Sequence, residues 1–373
     1  MNIGITCYPT YGGSGAIATE LGQALARNGH KIHFISYSIP FRLQEYNQNI
    51  SFHDVEIMPY PLFKYPPYTL ALAAKMAAVA EDAELDILHV HYAVPHATCA
   101  YLARNMIKCR DVRIITTLHG TDITLVGSDK SFYQITKFSI EESHGVTAVS
   151  QSLKQDTISL FGIENNIRVI PNFVDTHRFQ RQVGRCDIKN IVGHDEKIIL
   201  HVSNLRPVKR VTDIIRMYVK VKPKIKSKLL IVGEGPDRVP AQELASELGL
   251  RDSVVFLGQQ EGVDDILSCA DLYLLPSEQE SFGLSALEAM SCEVPVIGTN
   301  VGGVPELVEH GINGFITEVG DVEKMAEHAI EILTNDVLRR DIGQKARQRV
   351  LDCFGEEQVV PQYESYYEEI LSR

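Results

Sequence analysis

Short apolar runs alternate with longer amphipathic segments along the whole chain. The short runs in the first half predict β-strands at Asn2–Cys7, Lys31–Ser36, Asp86–Val90, Val112–Leu118 and Gly145–Val149. The segments between them carry apolar residues at helical intervals and predict helices at Ala16–Asn28, Thr69–Ala83, Ala97–Ile107, Phe132–Glu142 and Gln151–Phe161. Strands that alternate with helices in this way are typical of parallel α/β sheets.

The second half of the chain repeats this pattern. Its apolar runs predict strands at Lys197–Val202, Ser227–Val232, Ser253–Leu257, Leu272–Leu275 and Val294–Gly298. Between the two series lies the polar stretch Asn172–Asp195, which has no long apolar period and predicts a linker. We therefore expect two α/β domains, residues 1–172 and 173–355.

The closing segment, Glu356–Leu371, predicts a helix with one apolar face. Valine, tyrosine and isoleucine side chains recur at helical intervals from Val359 to Ile370. Such a stripe is normally buried, either within the chain or against a second copy in a homo-oligomer. We expect the helix, about 356–373, to cross back and complete the N-terminal domain.

Composition narrows the class of protein. The chain has 373 residues, 45% of them hydrophobic and 23% charged, as in an ordinary globular protein. Its net charge of -12 argues against nucleic acid as a partner. No apolar run approaches the length of a membrane span. Seven scattered cysteines without a C-x-x-C, and a strand that begins at Asn2, favour a cytoplasmic protein that keeps its thiols reduced.

A glycine loop, Tyr8-Pro-Thr-Tyr-Gly-Gly-Ser-Gly15, joins the first strand to the first helix. Such a loop lets backbone amides approach a phosphate closely, although a tight turn alone also needs glycine. The loop lacks the G-x-G-x-x-G spacing, and the second strand ends at Ser36-Tyr-Ser38 without an acidic residue. A dinucleotide site is therefore disfavoured.

A basic loop, Ser203-Asn-Leu-Arg-Pro-Val-Lys-Arg210, follows the first strand of the second domain. Arg206, Lys209 and Arg210 stand at the carboxyl end of that strand, where ligands of open α/β sheets bind. Three cations there would clamp a diphosphate and stabilise its charge as it leaves. The alternative is a solvated surface loop. Of the three cations, Lys209 is the strongest candidate for contact with the diphosphate.

Two glutamates, Glu280 and Glu288, flank a predicted turn from strand to helix that contains Ser281 and Gly283. The helix start offers unpaired N–H groups to an anion. Glu280 is expected in the loop and Glu288 one or two turns into the helix, where both could bind hydroxyls of a nucleotide sugar. The alternative is a pair of surface acids. The loops Gly233-Glu-Gly-Pro236 and Gly298–Glu306 converge on the same sheet edge, which favours a ligand pocket.

Histidines follow two strands of the first domain. His119-Gly-Thr-Asp122 stands at a carboxyl end, and the pair His89-x-His91 puts two imidazoles on one face of a strand. A metal site would need further ligands that the pattern does not supply, so no metal is expected. The chain also lacks Asp-x-Asp, a common magnesium anchor of nucleotide-sugar enzymes. Phosphate neutralisation by lysine, arginine and helix ends is therefore favoured.

Together these motifs resemble the retaining glycosyltransferases of family four. The resemblance covers essentially the whole chain and rests on Gly12-Gly13-Ser14-Gly15, His119-Gly120, Lys209, Gly233-Glu-Gly-Pro236, Glu280 with Glu288, and Gly302-Gly303. It implies a GT-B fold, two Rossmann-like domains facing each other across a cleft. Within the family, the segments Tyr8-Pro9, Ser38-Ile-Pro-Phe-Arg-Leu43, Lys64-Tyr-Pro-Pro-Tyr68 and Leu118–Ile123 are similar to members that use UDP-N-acetylglucosamine and L-malate.

The resemblance also implies residue roles. Lys209 would neutralise the diphosphate, Glu280 would hold sugar hydroxyls, Glu288 would hold ribose hydroxyls, and His119 would lie beside the transferred sugar. The implied set of donor contacts is Gly13, Asn204, Arg206, Lys209, Gly233, Glu280, Ser281, Phe282, Gly283 and Glu288. Many relatives have arginine where Asn204 stands. Arg206, two residues later, is the candidate to take over the role of that arginine, and its assignment is less secure than that of Lys209.

The implied acceptor site lies in the N-terminal domain. Ser14, Tyr92 and Thr117 are candidate hydrogen-bond donors to L-malate, and the cation that binds its carboxylate is either Lys137 or Arg42.

Three other functions stay open at this stage. A UDP-N-acetylglucosamine epimerase shares the architecture, another transferase would use an inositol phosphate acceptor, and a nucleotide-sugar sensor would bind UDP without turnover. No pair of carboxylates is placed for double displacement, so a transferase would use front-side substitution with retention.

Overall fold

The chain folds into two parallel β-sheets, one in each of two units. A computed structural model describes residues 1–10, 12–43, 46–57, 64–164, 166–182, 191–193 and 195–373. Unit 1 comprises Met1–Pro171 and Val359–Arg373, and unit 2 comprises Asn172–Gln358. The predicted linker Asn172–Asp195 therefore begins at the boundary, although its residues 183–190 and 194 lie outside the described residues.

Unit 1 contains a seven-stranded sheet with the order β3-β2-β1-β4-β5-β6-β7. Its strands are β1 (Asn2–Thr6), β2 (Lys31–Ser36), β3 (Ile50–Asp54), β4 (Ile87–His91), β5 (Arg113–Leu118), β6 (Gly145–Ala148) and β7 (Ile167–Val169). Its helices are α1 (Gly13–Arg27), α2 (Tyr68–Asp82), α3 (Thr98–Met106), α4 (Tyr133–Glu141) and α5 (Gln151–Phe161), with wide helical turns at Ala93–Ala97 and Thr121–Gly127. The order reverses between β1 and β4, and ligands of open α/β sheets bind outside such a reversal.

Unit 2 contains a six-stranded sheet with the order β10-β9-β8-β11-β12-β13. Its strands are β8 (Lys197–Val202), β9 (Ser227–Val232), β10 (Val254–Gly258), β11 (Leu272–Leu275), β12 (Val296–Thr299) and β13 (Gly314–Thr317). Its helices are α6 (Val211–Val221), α7 (Arg238–Glu247), α8 (Val263–Cys269), α9 (Leu284–Ser291), α10 (Val304–Leu307), α11 (Val322–Thr334) and α12 (Asp336–Cys353). Here the order reverses between β8 and β11.

The predicted elements are confirmed, with small shifts at their ends, and both sheets are parallel in every pairing described. Three strands, β3, β7 and β13, were not predicted. Each lies at an edge of its sheet, and edge strands carry shorter or more polar patterns than central ones.

The helix α13 (Glu356–Ser372) packs within the chain, against unit 1. Tyr363 and Tyr367 are completely buried there. The hydroxyl of Tyr366 accepts a hydrogen bond of 3.0 Å from the backbone N–H of Val146. The hydroxyl of Tyr367 lies 2.7 Å from Nδ1 of His89 on the central strand β4. The tyrosine stripe read from the sequence is thus part of the core of unit 1.

Candidate active site

Lys209 and Glu280 lie side by side at the sheet reversal of unit 2. Lys209 ends a short helical turn after β8, and Glu280 lies in the loop after β11. Nζ of Lys209 is 2.6 Å from Oε2 of Glu280, and the two side chains are only 18% and 15% exposed. The backbone N–H of Glu278 donates a 2.8 Å hydrogen bond to the carbonyl of Val208, which ties the two loops together. The sequence-predicted cation and acid therefore form one half-buried ion pair.

Two glycines allow the surrounding loops to pack backbone against backbone. Gly233 has φ +120°, and a Cβ there would lie 1.9 Å from the carbonyl oxygen of Ser203. Gly302 has φ +52°, and a Cβ there would lie 1.9 Å from the carbonyl oxygen of Glu280. That same carbonyl accepts a 3.0 Å hydrogen bond from the N–H of Gly303. Hence Gly233 supports the basic loop, whereas Gly302 fixes the backbone that carries Glu280.

The helix α9 begins directly after the glutamate loop. Gly283 precedes its first residue with φ +97°, a left-handed conformation that favours glycine, and no acidic residue lies in the first turn. Its free N–H groups and its dipole therefore suit an anion. Ser281 is partly exposed, and Phe282 is buried with its ring 5.7 Å from that of Phe354. The interpretation of this turn as an anion-binding helix start is consistent with that geometry.

Glu288 is the fifth residue of α9, as predicted, but only 4% of its surface is exposed. A carboxylate so buried needs polar partners, which distinguishes it from a surface acid. The alternative of two surface acids is therefore wrong for Glu288 and for the half-buried Glu280.

The basic loop divides its three cations among different roles. Arg210 donates from Nε to Asp213 at 2.6 Å and so serves the start of α6. Asn204 and Arg206 are exposed, and the Arg206 side chain makes no ion pair with any residue that the structure describes. Lys209 is thus the cation held at the sheet edge, and Arg206 is the one that can turn toward a ligand.

Ser14 and Tyr92 meet at the corresponding reversal of unit 1. Ser14 lies in the first turn of α1, after β1, and Tyr92 directly follows β4. The Ser14 hydroxyl donates to the Tyr92 hydroxyl at 3.0 Å. Gly13, the exposed first residue of α1, places another free N–H beside Ser14. The structure therefore brings three predicted residues together at one edge.

His119 follows the neighbouring strand β5 and contacts a second histidine. Its Nε2 lies 2.9 Å from Nδ1 of His91, and its ring centroid is 5.4 Å from that of Tyr92. Burial, with a smaller effect of nearby His96, lowers the pKa of His119 to about 3. The imidazole is therefore neutral at physiological pH, and it acts as a hydrogen-bond donor or acceptor rather than as a cation.

Asp122 anchors the loop that carries His119. Its Oδ1 accepts hydrogen bonds from the N–H groups of His119 (3.1 Å) and Gly120 (2.9 Å), and its Oδ2 accepts one from Ala93 (3.0 Å). Burial raises the pKa of this carboxyl to about 6, although the three N–H groups oppose the shift. Asp122 had no role in the sequence-based assignment, yet its place three residues after His119 was a usable signal because Asp often accepts from backbone N–H groups nearby.

Thr117 is not placed to contact the acceptor substrate. It is completely buried in β5, and its hydroxyl lies 2.7 Å from both Nε2 of His89 and the hydroxyl of Thr147. Through His89 this chain of hydrogen bonds reaches Tyr367 on α13. Thr117 therefore belongs to the buried framework of unit 1, because both faces of a central strand are covered by helices.

The two candidate cations differ in how firmly they are held. Arg42 forms a 2.5 Å ion pair with Glu20, and both side chains are about nine-tenths buried. Lys137, on α4, is 31% exposed and lies 3.7 Å from Glu141 one turn later. Neither contacts Ser14 or Tyr92 in the structure described. Lys137 has the weaker and more exposed pair of the two.

The described ranges contain neither a candidate metal-binding cluster nor a candidate membrane-spanning helix. These ranges contain no cluster of three or more His, Cys, Asp or Glu side chains that could hold a metal ion. His89 and His91 do share one face of β4, as predicted, but both are completely buried. The same ranges contain no helix with the length and apolarity needed to cross a bilayer.

Comparison with known proteins decides the family. Residues 11–178 match the model described as Glycosyltransferase Family 4, and residues 187–349 match the model described as Glycosyl transferases group 1. The chain is also 49% identical, over 372 residues, to N-acetyl-alpha-D-glucosaminyl L-malate synthase of Bacillus anthracis, with 100% of this chain and 97% of that protein covered. The chain belongs to glycosyltransferase family 4.

Solved structures show the same fold for this family 4 glycosyltransferase. Sucrose-phosphate synthase from Thermosynechococcus elongatus superposes with a TM-score of 0.83 at 21% identity, covering 100% of this chain and 99% of that one. Anabaena HepE in complex with UDP and glucose gives a TM-score of 0.80 at 20% identity, covering 98% and 99%. The expected GT-B class with two Rossmann-like sheets is confirmed, and a sugar-nucleotide donor with a small acceptor fits this family.

Proposed function

We propose that this enzyme transfers N-acetylglucosamine from UDP-N-acetylglucosamine to the 2-hydroxyl of L-malate with retention, the first step of bacillithiol biosynthesis. The observation that carries the proposal is the 49% identity, over the full length, to a protein named for that synthesis. The Lys209–Glu280 pair at the sheet reversal supports it, because it supplies a cation for a leaving diphosphate and an acceptor for sugar hydroxyls.

The donor is assigned to unit 2. Lys209 has three N–H donors, so it can keep its contact with Glu280 while another N–H binds a phosphate oxygen. The start of α9, with Ser281 and Gly283, adds backbone N–H groups without a competing acid in its first turn. Glu280 then accepts from the sugar hydroxyls, and the more deeply buried Glu288 accepts from the ribose.

The acceptor is assigned to unit 1. The hydroxyls of Ser14 and Tyr92 are hydrogen bonded to each other, and each has further capacity for a carboxylate or hydroxyl of malate. Lys137 is the favoured cation for a malate carboxylate, since its long ion pair with Glu141 is easier to exchange than the short buried pair of Arg42.

Front-side substitution accounts for transfer with retention. The 2-hydroxyl oxygen of malate forms a bond to C1 of the sugar as the bond from C1 to the phosphate oxygen breaks. The proton of that hydroxyl moves to the departing phosphate oxygen, so UDP leaves with it. Lys209 and the helix start stabilise the charge that develops on the diphosphate, and His119 contacts the sugar.

Neutralisation of the diphosphate by these protein groups makes a metal ion unnecessary in the proposed reaction. The absence of Asp-x-Asp from the sequence supports this part of the proposal. UDP release should therefore persist in the presence of EDTA. A loss of activity in EDTA that magnesium restores would contradict it.

We further propose a cytoplasmic enzyme, in keeping with its scattered cysteines.

A UDP-release assay across acceptors tests the function. We expect release with L-malate and none with succinate, which has the two carboxylates but lacks the nucleophilic hydroxyl. Release with an inositol phosphate and not with malate would indicate the other transferase. Sugar interconversion from the donor alone would indicate the epimerase, and tight UDP binding with no release for any acceptor would indicate the sensor.

A further inference from the structure

Two histidine rings stack at the carboxyl ends of neighbouring strands in unit 1. His91 is the last residue of β4, and His119 directly follows β5. Their ring centroids are 5.1 Å apart with the planes inclined by 25°, and Nδ1 of His91 lies 2.9 Å from Nε2 of His119. We propose that His91 is a positioning residue that fixes the tautomer of His119, so that His119 presents an Nδ1–H donor to substrate.

Both rings are neutral. Burial, followed by the neighbouring histidines, holds the pKa of His91 well below its usual range, and burial lowers that of His119 to about 3. A neutral imidazole has one N–H and one nitrogen lone pair. The contact between the rings therefore has two arrangements: either His91 donates from Nδ1, or His119 donates from Nε2.

The other nitrogen of His91 distinguishes the two arrangements. Nε2 of His91 is buried and makes no hydrogen bond with any described residue. If His119 were the donor, His91 would carry its hydrogen on this Nε2 as a buried N–H without an acceptor. Buried N–H groups without a partner are rarer in folded proteins than acceptors with spare capacity. His91 therefore donates from Nδ1, and His119 keeps its own hydrogen on Nδ1.

The surrounding contacts hold both rings in place. His96 must donate from Nδ1 to the carbonyl oxygen of His91 at 2.5 Å, because a carbonyl can only accept. Asp122 accepts from the backbone N–H groups of His119 and Gly120, which fixes the turn that carries the second ring. The orientation of His119 is thus determined from both strands, as for histidines that a neighbouring group orients in metal sites.

The Nδ1 of His119 is the nitrogen left for substrate. The side chain is half-buried, and this nitrogen makes no hydrogen bond with the described residues. An N–H at this position donates to a hydroxyl or carboxylate oxygen and adds no positive charge. The assignment of this oxygen to the transferred sugar or to malate rests on the proposed function. The assignment of the tautomer does not depend on it.

Nuclear magnetic resonance of the intact, histidine-labelled protein without substrate tests the tautomer. Long-range ¹H–¹⁵N spectra distinguish the N–H nitrogen from the lone-pair nitrogen in each ring, and His119→Asn identifies the signals of His119. We expect the Nδ1–H form, which is the minor tautomer of free histidine in water. In His91→Phe, the His119 signals should shift toward the Nε2–H form. An Nε2–H form in the unaltered protein, or signals unchanged in His91→Phe, would overturn the proposal.

Turnover provides the second readout. His91→Phe should lower kcat about 10- to 100-fold, by analogy with removal of a group that orients a metal-binding histidine. His91→Asn is the matched control, because its amide N–H lies near the place of Nδ1, and it should recover most of the turnover. Equal losses in both variants would overturn the positioning role. If no acceptor supports UDP release, the proposed function fails, but the spectra still decide the tautomer.

Discussion

Removal of the Lys209 ammonium should lower turnover strongly and stability little. At 2.6 Å its Coulomb attraction to Glu280 is about 6 kcal/mol at an effective dielectric constant of ~20 and about 1.6 kcal/mol in bulk water. Desolvation of the two groups offsets most of this attraction. The Ser277 hydroxyl, 3.4 Å from the same carboxylate oxygen, remains in Lys209→Ala. We therefore expect the free energy of unfolding to fall by only about 1 kcal/mol.

The effect on the reaction is larger because the diphosphate gains charge as it leaves. Loss of one preorganised donor to such a charge typically costs about 2.7–4 kcal/mol, which is roughly a 100- to 1000-fold decrease in kcat. The assay is steady-state UDP release with saturating donor and malate, alongside urea unfolding of the same preparation. Two control variants complete the set. Lys226→Ala removes a 66% exposed lysine 4.0 Å from Asp195 in the same unit, and Lys209→Arg keeps the positive charge.

A kcat for Lys209→Ala close to that of the unaltered enzyme would exclude the proposed role of this lysine at the diphosphate. A decrease in kcat matched by an equal loss of stability would also refute it, since the lysine would then act through folding. Lys226→Ala should leave both quantities unchanged.

Three further predictions follow from buried contacts. Tyr367→Phe leaves Nδ1 of His89 without its 2.7 Å partner, so the free energy of unfolding measured in urea should fall by about 1–3 kcal/mol. Gly302→Ala places a Cβ 1.9 Å from the carbonyl oxygen of Glu280 and strains a φ of +52°, so UDP release should fall sharply as the loop shifts. Acid should lower the free energy of unfolding between about pH 6.5 and pH 4. Each buried neutral histidine contributes a decrease of up to about 1.4 kcal/mol per pH unit. Urea unfolding at several pH values measures this effect.

The sign of the acid effect follows from lowered pKa values. Burial lowers the pKa of His89 to about 3 and that of His201 to about 4, so below pH 6.5 the unfolded chain binds protons that the folded chain does not. A free energy of unfolding that stays constant from pH 7 to pH 5 would contradict this prediction.

The variants have matched controls. Tyr65→Phe removes a hydroxyl from a 75% exposed ring and should not change stability; an equal loss in both tyrosine variants would exclude the buried contact as the cause. Gly311→Ala introduces a comparable strain, at φ +75°, where an added Cβ has no atom within 4 Å. If it impaired UDP release as much as Gly302→Ala, displacement of the glutamate loop would not be the reason.

Much of the unit 2 site could be predicted from the sequence because parallel strands share one carboxyl edge. Lys209 and Glu280 are far apart in the chain, yet each follows a strand that the apolar pattern indicated. Their proximity therefore follows once β8 and β11 are neighbours in the sheet. Ser14 and Tyr92 in unit 1 meet for the same reason.

The buried hydrogen bonds of unit 1 could not be predicted in this way. Thr117 was expected to be accessible because it lies near the carboxyl end of β5, but α13, which comes much later in the chain, covers its surroundings. The bond between Tyr367 and His89 joins residues separated by 278 positions, and no local pattern encodes such a contact. Lys137 with Glu141 is the contrasting case, since an i,i+4 pair is visible in the sequence.

The place of α13 in the chain has a consequence for synthesis on the ribosome. Domains generally fold in order as the nascent chain emerges, with the N-terminal one first. Here Val359–Arg373 belong to unit 1 but are translated after all of unit 2. The face of the unit 1 sheet that receives Tyr363 and Tyr367 therefore stays uncovered while unit 2 is being translated. During that interval the first domain to be made is the last to be finished, and His89 on its central strand lacks the hydrogen bond that Tyr367 later supplies.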